Sequence, residues 1–110
     1  MSQLHFKKQF WPLILSGEKR TTIRRWMTPR VKANSRCYAF GIGWLTIESV
    51  ERIELRKLTL EDAKADGFVT LKSMRQTLFE FYPDHQSDGR SWFRVKFRPE
   101  RGAAAPSVPV

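Results

Sequence analysis

Four segments of the chain show the residue pattern of β-strands. The clearest is the last one, where Phe93, Val95 and Phe97 alternate with polar or aromatic neighbours, as is typical of a strand with one buried face. β-branched and aromatic residues favour the other three. The predicted strands are 21–25, 36–42, 44–53 and 91–98. A fifth, short strand is predicted over 4–6.

Three other segments show helical spacing. Apolar residues at i, i+3 and i+4 over 10–14 predict a helix of about two turns, and a glycine follows it. Thr59 is the predicted N-cap of a second helix that ends at Gly67. Thr70 caps a third helix, which Pro83 stops.

The order of these elements is one helix, three strands, two helices and a final strand. This order predicts an α+β fold in which helices flank a small curved sheet or barrel. We expect residues 1–98 to form a single domain, because the chain has 110 residues and shows no internal repeat. Residues 99–110 are rich in alanine and proline without periodicity and are predicted to form a disordered tail.

The chain is strongly basic. Twenty lysines and arginines face eleven acidic residues, which gives a formal net charge of +9 and a pI near 10.3. The hydrophobic fraction of 41% is that of an ordinary globular protein. A positive charge of this size favours a polyanionic or phosphate-bearing partner.

Several classes of protein are excluded by what the sequence lacks. Cys37 is its single cysteine, so neither an intramolecular disulfide nor a cysteine-based zinc site is expected. No apolar run approaches the roughly 18 residues of a membrane-spanning helix, and polar residues interrupt the N-terminal stretch where a signal peptide would be apolar. We therefore expect a soluble cytoplasmic protein with no metal and no membrane partner.

Basic residues concentrate in the segment 19–36. This segment holds seven lysines and arginines and no acidic residue. With Trp26 in its middle able to stack on a base, it indicates an RNA-binding surface. The alternative is a solvated surface that only keeps the protein in solution.

Lys19, Thr22 and Arg24 form a candidate catalytic constellation at the start of the predicted strand 21–25. A threonine becomes a nucleophile when an adjacent base removes its proton. A lysine serves as that base when burial or neighbouring cations lower its pKa. A carboxylate elsewhere would complete a triad. On spacing alone, an exposed basic strand remains the alternative.

Two aspartates near the second helix suggest different roles. Asp62 fits N-terminal capping of that helix. Asp66 precedes Gly67 at the C-terminal end, where the helix dipole disfavours a negative charge. An unfavourable position is a mild indication of function, and a chance surface aspartate is the alternative.

Four stretches resemble the sequence signatures of the ASCH domain, a branch of the PUA-like fold. The first, over 10–24, reads F-x-x-x-I-x-x-G-x-K-x-x-T-I-R, and the second, over 58–68, reads L-x-L-E-D-A-x-x-D-G-F. Two shorter stretches, F-Y-P over 81–83 and W-x-x-V-x-F over 92–97, also match. The resemblance extends over about residues 4–98.

This resemblance implies a PUA-like small β-barrel of about five or six strands flanked by short helices. Small bacterial members of the family hydrolyse N4-acetylcytidine to cytidine and acetate, using a lysine, a threonine and a glutamate. Lys19 and Thr22 match the first two of these. One alignment puts Gly67 at the third position and another puts Asp66 there. We take Asp66, because glycine has no group for acid–base chemistry.

The resemblance therefore predicts an amidohydrolase that cleaves the N4-acyl amide of acylated cytidine without a cofactor. Lys19, Thr22 and Asp66 are the predicted catalytic residues. The predicted substrate-binding side chains are Arg24, Trp26, Tyr38 and Phe40. The first alternative is an RNA-binding PUA-like module that uses the segment 19–36, with or without ribonuclease activity, and the second is an adaptor without chemistry.

Overall fold

An open antiparallel sheet of four strands forms the centre of the protein. The computed structural model describes residues 2–100. The strands are β1 (Thr21–Trp26), β2 (Ser35–Ala39), β3 (Gly43–Ile53) and β4 (Ser91–Pro99). Their order in the sheet is β1-β4-β3-β2, and neighbouring strands are antiparallel. The strand that carries Thr22 and Arg24 is therefore an edge strand.

Three short α-helices accompany the sheet. They are α1 (Trp11–Ser16), α2 (Leu60–Ala65) and α3 (Leu71–Phe81), and 3-10 turns precede the first two at Lys8–Phe10 and Leu55–Lys57. Thr59 and Thr70 are the N-caps of α2 and α3, and Gly17 follows α1 with a left-handed φ of 89°. All three predicted helices are therefore present. No helix within residues 2–100 is long and apolar enough to cross a membrane.

Asp62 ties α2 to the sheet. Its carboxylate accepts the backbone N–H of Thr59 at 2.8 Å, and the Thr59 hydroxyl accepts the backbone N–H of Asp62 at 3.4 Å, so a capping box starts the helix. Arg94 on β4 donates to the same carboxylate at 2.7 Å. These contacts hold the N-terminal end of α2 against β4 and thereby set the position of its C-terminal end.

The apolar residues form two clusters on the sheet. The larger one contains residues of the N-terminal segment, α1 and all four strands, with Ile14, Leu45 and Phe97 among the most deeply buried. The smaller one packs α2 and α3 against β1; its buried members are Ile23, Leu58, Ala63, Met74 and Leu78. Phe68 packs against both clusters, so the segment that follows α2 lies at their junction.

The predicted barrel of five or six strands is not confirmed. Within residues 2–100 the sheet has four strands, and its two edge strands do not pair with each other. The N-terminal segment covers the edge of β2 instead: the N–H of Leu4 donates to the carbonyl of Tyr38, and the N–H of Tyr38 donates to the carbonyl of Ser2. The strand predicted over 4–6 is reduced to a single parallel bridge between Gln3 and Tyr38.

Strand β4 continues one residue beyond the predicted domain boundary, to Pro99. Glu100 then accepts two hydrogen bonds from the guanidinium of Arg36, at 2.7 and 3.0 Å. The rest of the predicted tail, 101–110, lies outside the described residues.

Candidate active site

A cleft of about 520 Å³ opens between the N-terminal segment, the start of β1, the end of α2 and the face of α3. This volume falls within the usual range for small-molecule sites. Lys19, Thr22, Arg24 and Asp66 all line it. The aromatic residues in its wall are Phe6, Phe10, Phe68, Phe81 and Tyr82. The structure thus brings together the three predicted catalytic residues and one predicted substrate-binding residue.

Lys19 and Asp66 form an ion pair that is almost completely buried. The Nζ of Lys19 lies 3.2 Å from Oδ1 of Asp66, and each side chain is only 4% exposed. The same ammonium donates to the backbone carbonyl of Asp66 at 2.8 Å. The hydroxyl of Thr21 donates to Oδ1 at 3.0 Å. The carboxylate is therefore held by Thr21, the first residue of β1, and by Lys19, which precedes the strand.

The end of α2 places Asp66 next to Lys19. Asp66 is the C-cap of α2, and the backbone N–H of Arg20 donates to the carbonyl of Ala65, the last helical residue. Lys19 satisfies the next carbonyl with its ammonium, as basic side chains often do at helix C-termini. The chain then turns at Gly67, whose φ is 91°. A Cβ there would lie 3.3 Å from the Cβ of Lys19, so glycine permits the close approach.

Burial changes the proton affinity of both partners. It lowers the pKa of Lys19, and the opposing attraction of Asp66 offsets only part of this effect. Burial also raises the pKa of Asp66, against the influence of Lys19 and Thr21. The two shifts bring the pKa values of the ammonium and the carboxyl closer together than they are in water. A lysine in this setting is better suited to exchange protons near neutral pH than an exposed one.

Thr22 and Arg24 lie on the same face of β1 and contact each other. The Nε–H of Arg24 donates to Oγ1 of Thr22 at 3.0 Å, and its Nη2 donates to the carbonyl of His5 at 2.8 Å. The guanidinium carbon lies 4.9 Å from the centre of the Phe6 ring. Only 5% of Thr22 is exposed.

Aromatic rings surround the ammonium of Lys19. Its Nζ lies 5.0 Å from the centre of the Phe10 ring and 5.9 Å from that of Phe68, both within the range of cation–π attraction. Phe10 also meets Phe68 and Phe81 edge to face. These rings give the cleft apolar walls of the kind that a planar heterocycle fits.

The N-terminal wall of the cleft is anchored by Trp11. Its indole Nε1 donates to the carbonyl of Phe6 at 3.0 Å. Gly41, in the turn between β2 and β3, has a φ of 85°, and a Cβ there would lie 2.5 Å from the Trp11 ring. The glycine is needed both for the turn and for the space that the indole occupies.

Three of the predicted substrate-binding residues do not line the cleft. Trp26 is 8% exposed and packs on Phe93 in the core. It shares a strand face with Thr22 but lies four residues, or about 13 Å, further along. Tyr38 packs edge to face on Trp44, and Phe40 is 67% exposed against Trp11.

Several residues at the site are not among the predicted site residues. Thr21 faces the opposite side of β1 from Thr22 but reaches Asp66, a contact between residues 45 positions apart that no local pattern reveals. Phe10, Phe68 and Tyr82 lie within the motifs quoted above. Apolar and aromatic residues of this kind usually signal packing rather than ligand contact.

Much of the basic segment 19–36 is paired within the protein. Lys19 pairs with Asp66, and Arg24 bonds to Thr22 and His5. Arg25 is 6% exposed, donates to both carboxylate oxygens of Asp88 at 2.9 and 2.6 Å, and lies over the ring of Trp92. The remaining cations of the segment that are exposed and have no acidic partner within residues 2–100 are Arg20, Arg30 and Lys32.

The chain matches no family model and no curated protein sequence. Its structure, however, is similar to several solved ones. It matches the hypothetical protein PH0355 with a TM-score of 0.74 at 13% identity, over 89% of this chain and 97% of that one. It matches an ASCH domain from Lactobacillus crispatus with a TM-score of 0.73 at 15% identity, over 89% of this chain and 78% of that one.

A mutant ASCH protein from Zymomonas mobilis is also similar, with a TM-score of 0.60 at 17% identity over 86% of this chain and 66% of that one. At these identities the similarity shows the fold alone. The chain has the fold of an ASCH domain.

Proposed function

We propose that the protein is an amidohydrolase that cleaves the N4-acyl amide of acylated cytidine, releasing cytidine and a carboxylic acid. The observation that carries this proposal is the buried Lys19–Asp66 pair in a cleft that Thr22 also lines. A buried lysine that lines the same cleft as a threonine hydroxyl is an arrangement that nucleophilic amide cleavage can use. The substrate class comes from the resemblance of the motifs to the small bacterial ASCH amidohydrolases.

The proposed reaction uses Lys19 as the general base in its neutral form. Lys19 takes a proton from the Thr22 hydroxyl, or from a water that Thr22 positions, and the oxygen forms a bond to the acyl carbon. The C–N4 bond then breaks, and the ammonium of Lys19 returns the proton to the leaving amine. If Thr22 attacks, water subsequently hydrolyses the acyl-threonine and restores the hydroxyl.

Asp66 supports this cycle by holding Lys19. Its carboxylate stabilises the ammonium that forms when Lys19 accepts the proton, and Thr21 keeps the carboxylate in place. Because burial already lowers the pKa of Lys19, the neutral base is more accessible than in a lysine exposed to water. Asp66 therefore tunes and orients the base without contacting the substrate.

The rings of Phe10, Phe68 and Phe81 suit the cytosine base in this proposal. The rings of Phe10 and Phe68 lie next to the Nζ of Lys19, and the ring of Phe81 packs edge to face against Phe10. Trp26, Tyr38 and Phe40 lie elsewhere in the fold, so the proposal gives them no contact with the base.

An ultraviolet time course with N4-acetylcytidine and no added metal tests the proposal. The variants are Lys19→Met and Thr22→Val, which keep side-chain size but remove the reacting groups. Lys32→Met, on the exposed part of the basic segment, is the matched control. We expect turnover by the wild type and the control and a loss of at least about 100-fold in the two site variants. Equal rates in all four proteins, or a folded wild type without turnover, would overturn the proposal.

An RNA-binding module is the second candidate, and the exposed cations Arg20, Arg30 and Lys32 favour it together with the net charge of +9. RNA binding through phosphates weakens steeply as salt rises. Turnover of an uncharged nucleoside responds much less to salt. Binding of a single-stranded RNA, measured between low and physiological salt, therefore distinguishes the two functions.

A further inference from the structure

We propose that Arg24 is a positioning residue that orients the hydroxyl of Thr22 for proton transfer. The proposal rests on the amidohydrolase function above. Its basis is the hydrogen bond from Nε of Arg24 to Oγ1 of Thr22 at 3.0 Å. The two residues are i and i+2 on one strand face, so the strand itself sets their separation.

The guanidinium is held rigidly from three sides. Nη2 donates to the carbonyl of His5 at 2.8 Å, and the group stacks over Phe6. Trp11 holds the carbonyl of Phe6, and the N–H of Leu4 is bonded to β2. Contacts of this kind lock a side chain in one rotamer, so that the groups it touches are also fixed.

The chemistry of the contact sets the direction of the Thr22 proton. A guanidinium only donates hydrogen bonds, whereas a hydroxyl has one proton and two lone pairs. Because Oγ1 accepts from Arg24, the hydroxyl proton must point away from Arg24. Within residues 2–100 that hydroxyl donates to no protein acceptor, and both Thr22 and Lys19 line the cleft. The proton is therefore free to point into the cleft that Lys19 also lines.

The same contact favours the ionised form of the hydroxyl. As the O–H bond of Thr22 breaks and a new N–H bond forms on neutral Lys19, negative charge develops on Oγ1. The adjacent positive group stabilises that charge. Two of the three nitrogens of Arg24 are already bonded to protein oxygens. The Nε–H therefore acts on Thr22 rather than on a bound substrate.

Three substitutions of Arg24 separate orientation from charge. Arg24→Gln keeps an N–H at the position of Nε but is neutral, Arg24→Met keeps the length without a donor, and Arg24→Lys keeps the charge but moves the donor one atom further out. We expect kcat for N4-acetylcytidine to fall at least about tenfold in the Met and Lys variants, with KM little changed, and the Gln variant to lie between them and the wild type. Arg98→Met, a surface arginine paired with Glu48, is the control with unchanged kcat.

A spectroscopic measurement tests the contact without any turnover. In ¹⁵N-edited NMR, we expect a slowly exchanging Nε–H signal of Arg24 in the wild type and in Thr22→Ser. It should be lost or rapidly exchanging in Thr22→Val. A signal unaffected by Thr22→Val would overturn the proposed contact.

The two proposals fail in different ways. An active wild type whose Arg24→Met variant keeps full kcat, or one in which Gln and Met variants lose kcat equally while KM rises, would overturn the positioning role alone. A wild type without turnover would overturn both proposals, whatever the NMR shows. Thermal denaturation of each variant excludes loss of kcat through unfolding.

Discussion

Gly67 packs directly against the aliphatic part of Lys19. A Cβ at position 67 would lie 3.3 Å from the Cβ of Lys19 and 3.3 Å from Cδ1 of Leu13, and the φ of Gly67 is 91°. The backbone after α2 thus forms one wall of the channel in which the Lys19 side chain runs to Asp66. Any side chain at position 67 strains the backbone and crowds the side chain of Lys19.

The first prediction concerns this contact. Gly67→Ala should destabilise the protein by about 1–3 kcal/mol through the positive φ, and it should also reduce the proposed amide hydrolysis by displacing Lys19. Gly17→Ala is the matched control, because Gly17 has a φ of 89° and nothing within 4 Å of its Cβ position. Chemical denaturation and the N4-acetylcytidine assay measure the two effects. If both variants lose stability but neither loses activity, the crowding argument is wrong.

The second prediction concerns the pH profile. In the proposed reaction Lys19 acts as a base only when it is neutral, so kcat/KM should rise with pH through the pKa of Lys19, which burial places below its usual value. Asp66 raises that pKa. Replacing it by the isosteric amide, Asp66→Asn, should therefore move the rising limb to lower pH while kcat falls. Asp88→Asn removes a carboxylate that pairs with Arg25 and should leave the limb in place. A limb that does not move in Asp66→Asn would argue against Lys19 as the base.

The third prediction concerns Cys37. Its thiol is completely buried, and burial raises its pKa to about 11. A thiol reagent at pH 8 should therefore react with the denatured chain within seconds to minutes and with the native protein only as fast as it opens. The thiol of Cys37 has a higher pKa in the folded state than in the unfolded chain. The free energy of unfolding should therefore fall as pH rises above about 8.5, where the thiol of the unfolded chain begins to ionise. Rapid native labelling at pH 8 would contradict this.

The fourth prediction compares two ion pairs. Arg25 is 6% exposed and bonds to both oxygens of Asp88, whereas Arg36, paired with Glu100, is 58% exposed. Asp88→Asn should lower the melting temperature clearly, because it leaves a buried cation poorly paired. Glu100→Gln should have little effect.

The Asp88 contact also has a pH dependence. The guanidinium of Arg25 lowers the pKa of Asp88 in the folded state. The contribution of the Arg25–Asp88 contact to stability is therefore complete above the ordinary aspartate pKa near 3.9 and is lost as pH falls below that value. The acid-side loss of stability should be smaller in Asp88→Asn than in the wild type.

Local sequence signals predicted most of the secondary structure. Thr59, Thr70 and Gly17 mark helix ends through contacts within a few residues, and the alternation of Phe93, Val95 and Phe97 is a property of one strand. The closure of the sheet depends on which edges pair across the whole fold. The barrel that the resemblance implies is not confirmed for this reason: the N-terminal segment covers the edge of β2, and β1 does not pair with β2 in the part of the chain that the structure describes.

The candidate site was predictable to a different degree for each residue. Lys19 and Thr22 lie three residues apart in one motif, so their shared location follows from their short separation in the sequence. The prediction that Asp66 lies beside Lys19 depended on the family signature, because the two residues are 47 positions apart in the sequence. Trp26 was expected at the cleft because its sequence neighbours are charged, but its ring fills a core position beside Phe93. The charge of the neighbouring residues in the sequence does not determine which side of the sheet a strand residue faces.

The length of the chain between Lys19 and Asp66 has a consequence for folding. Their ion pair closes a loop that includes β2 and β3, and β1 reaches its partner only when β4, the last strand, is in place. The site depends on long-range contacts, and we expect these to form more slowly than local helices. Return of the proposed hydrolase activity after dilution from denaturant should therefore lag behind the recovery of helical circular dichroism. The delay between the two signals then measures how long the protein takes to complete its long-range strand pairing.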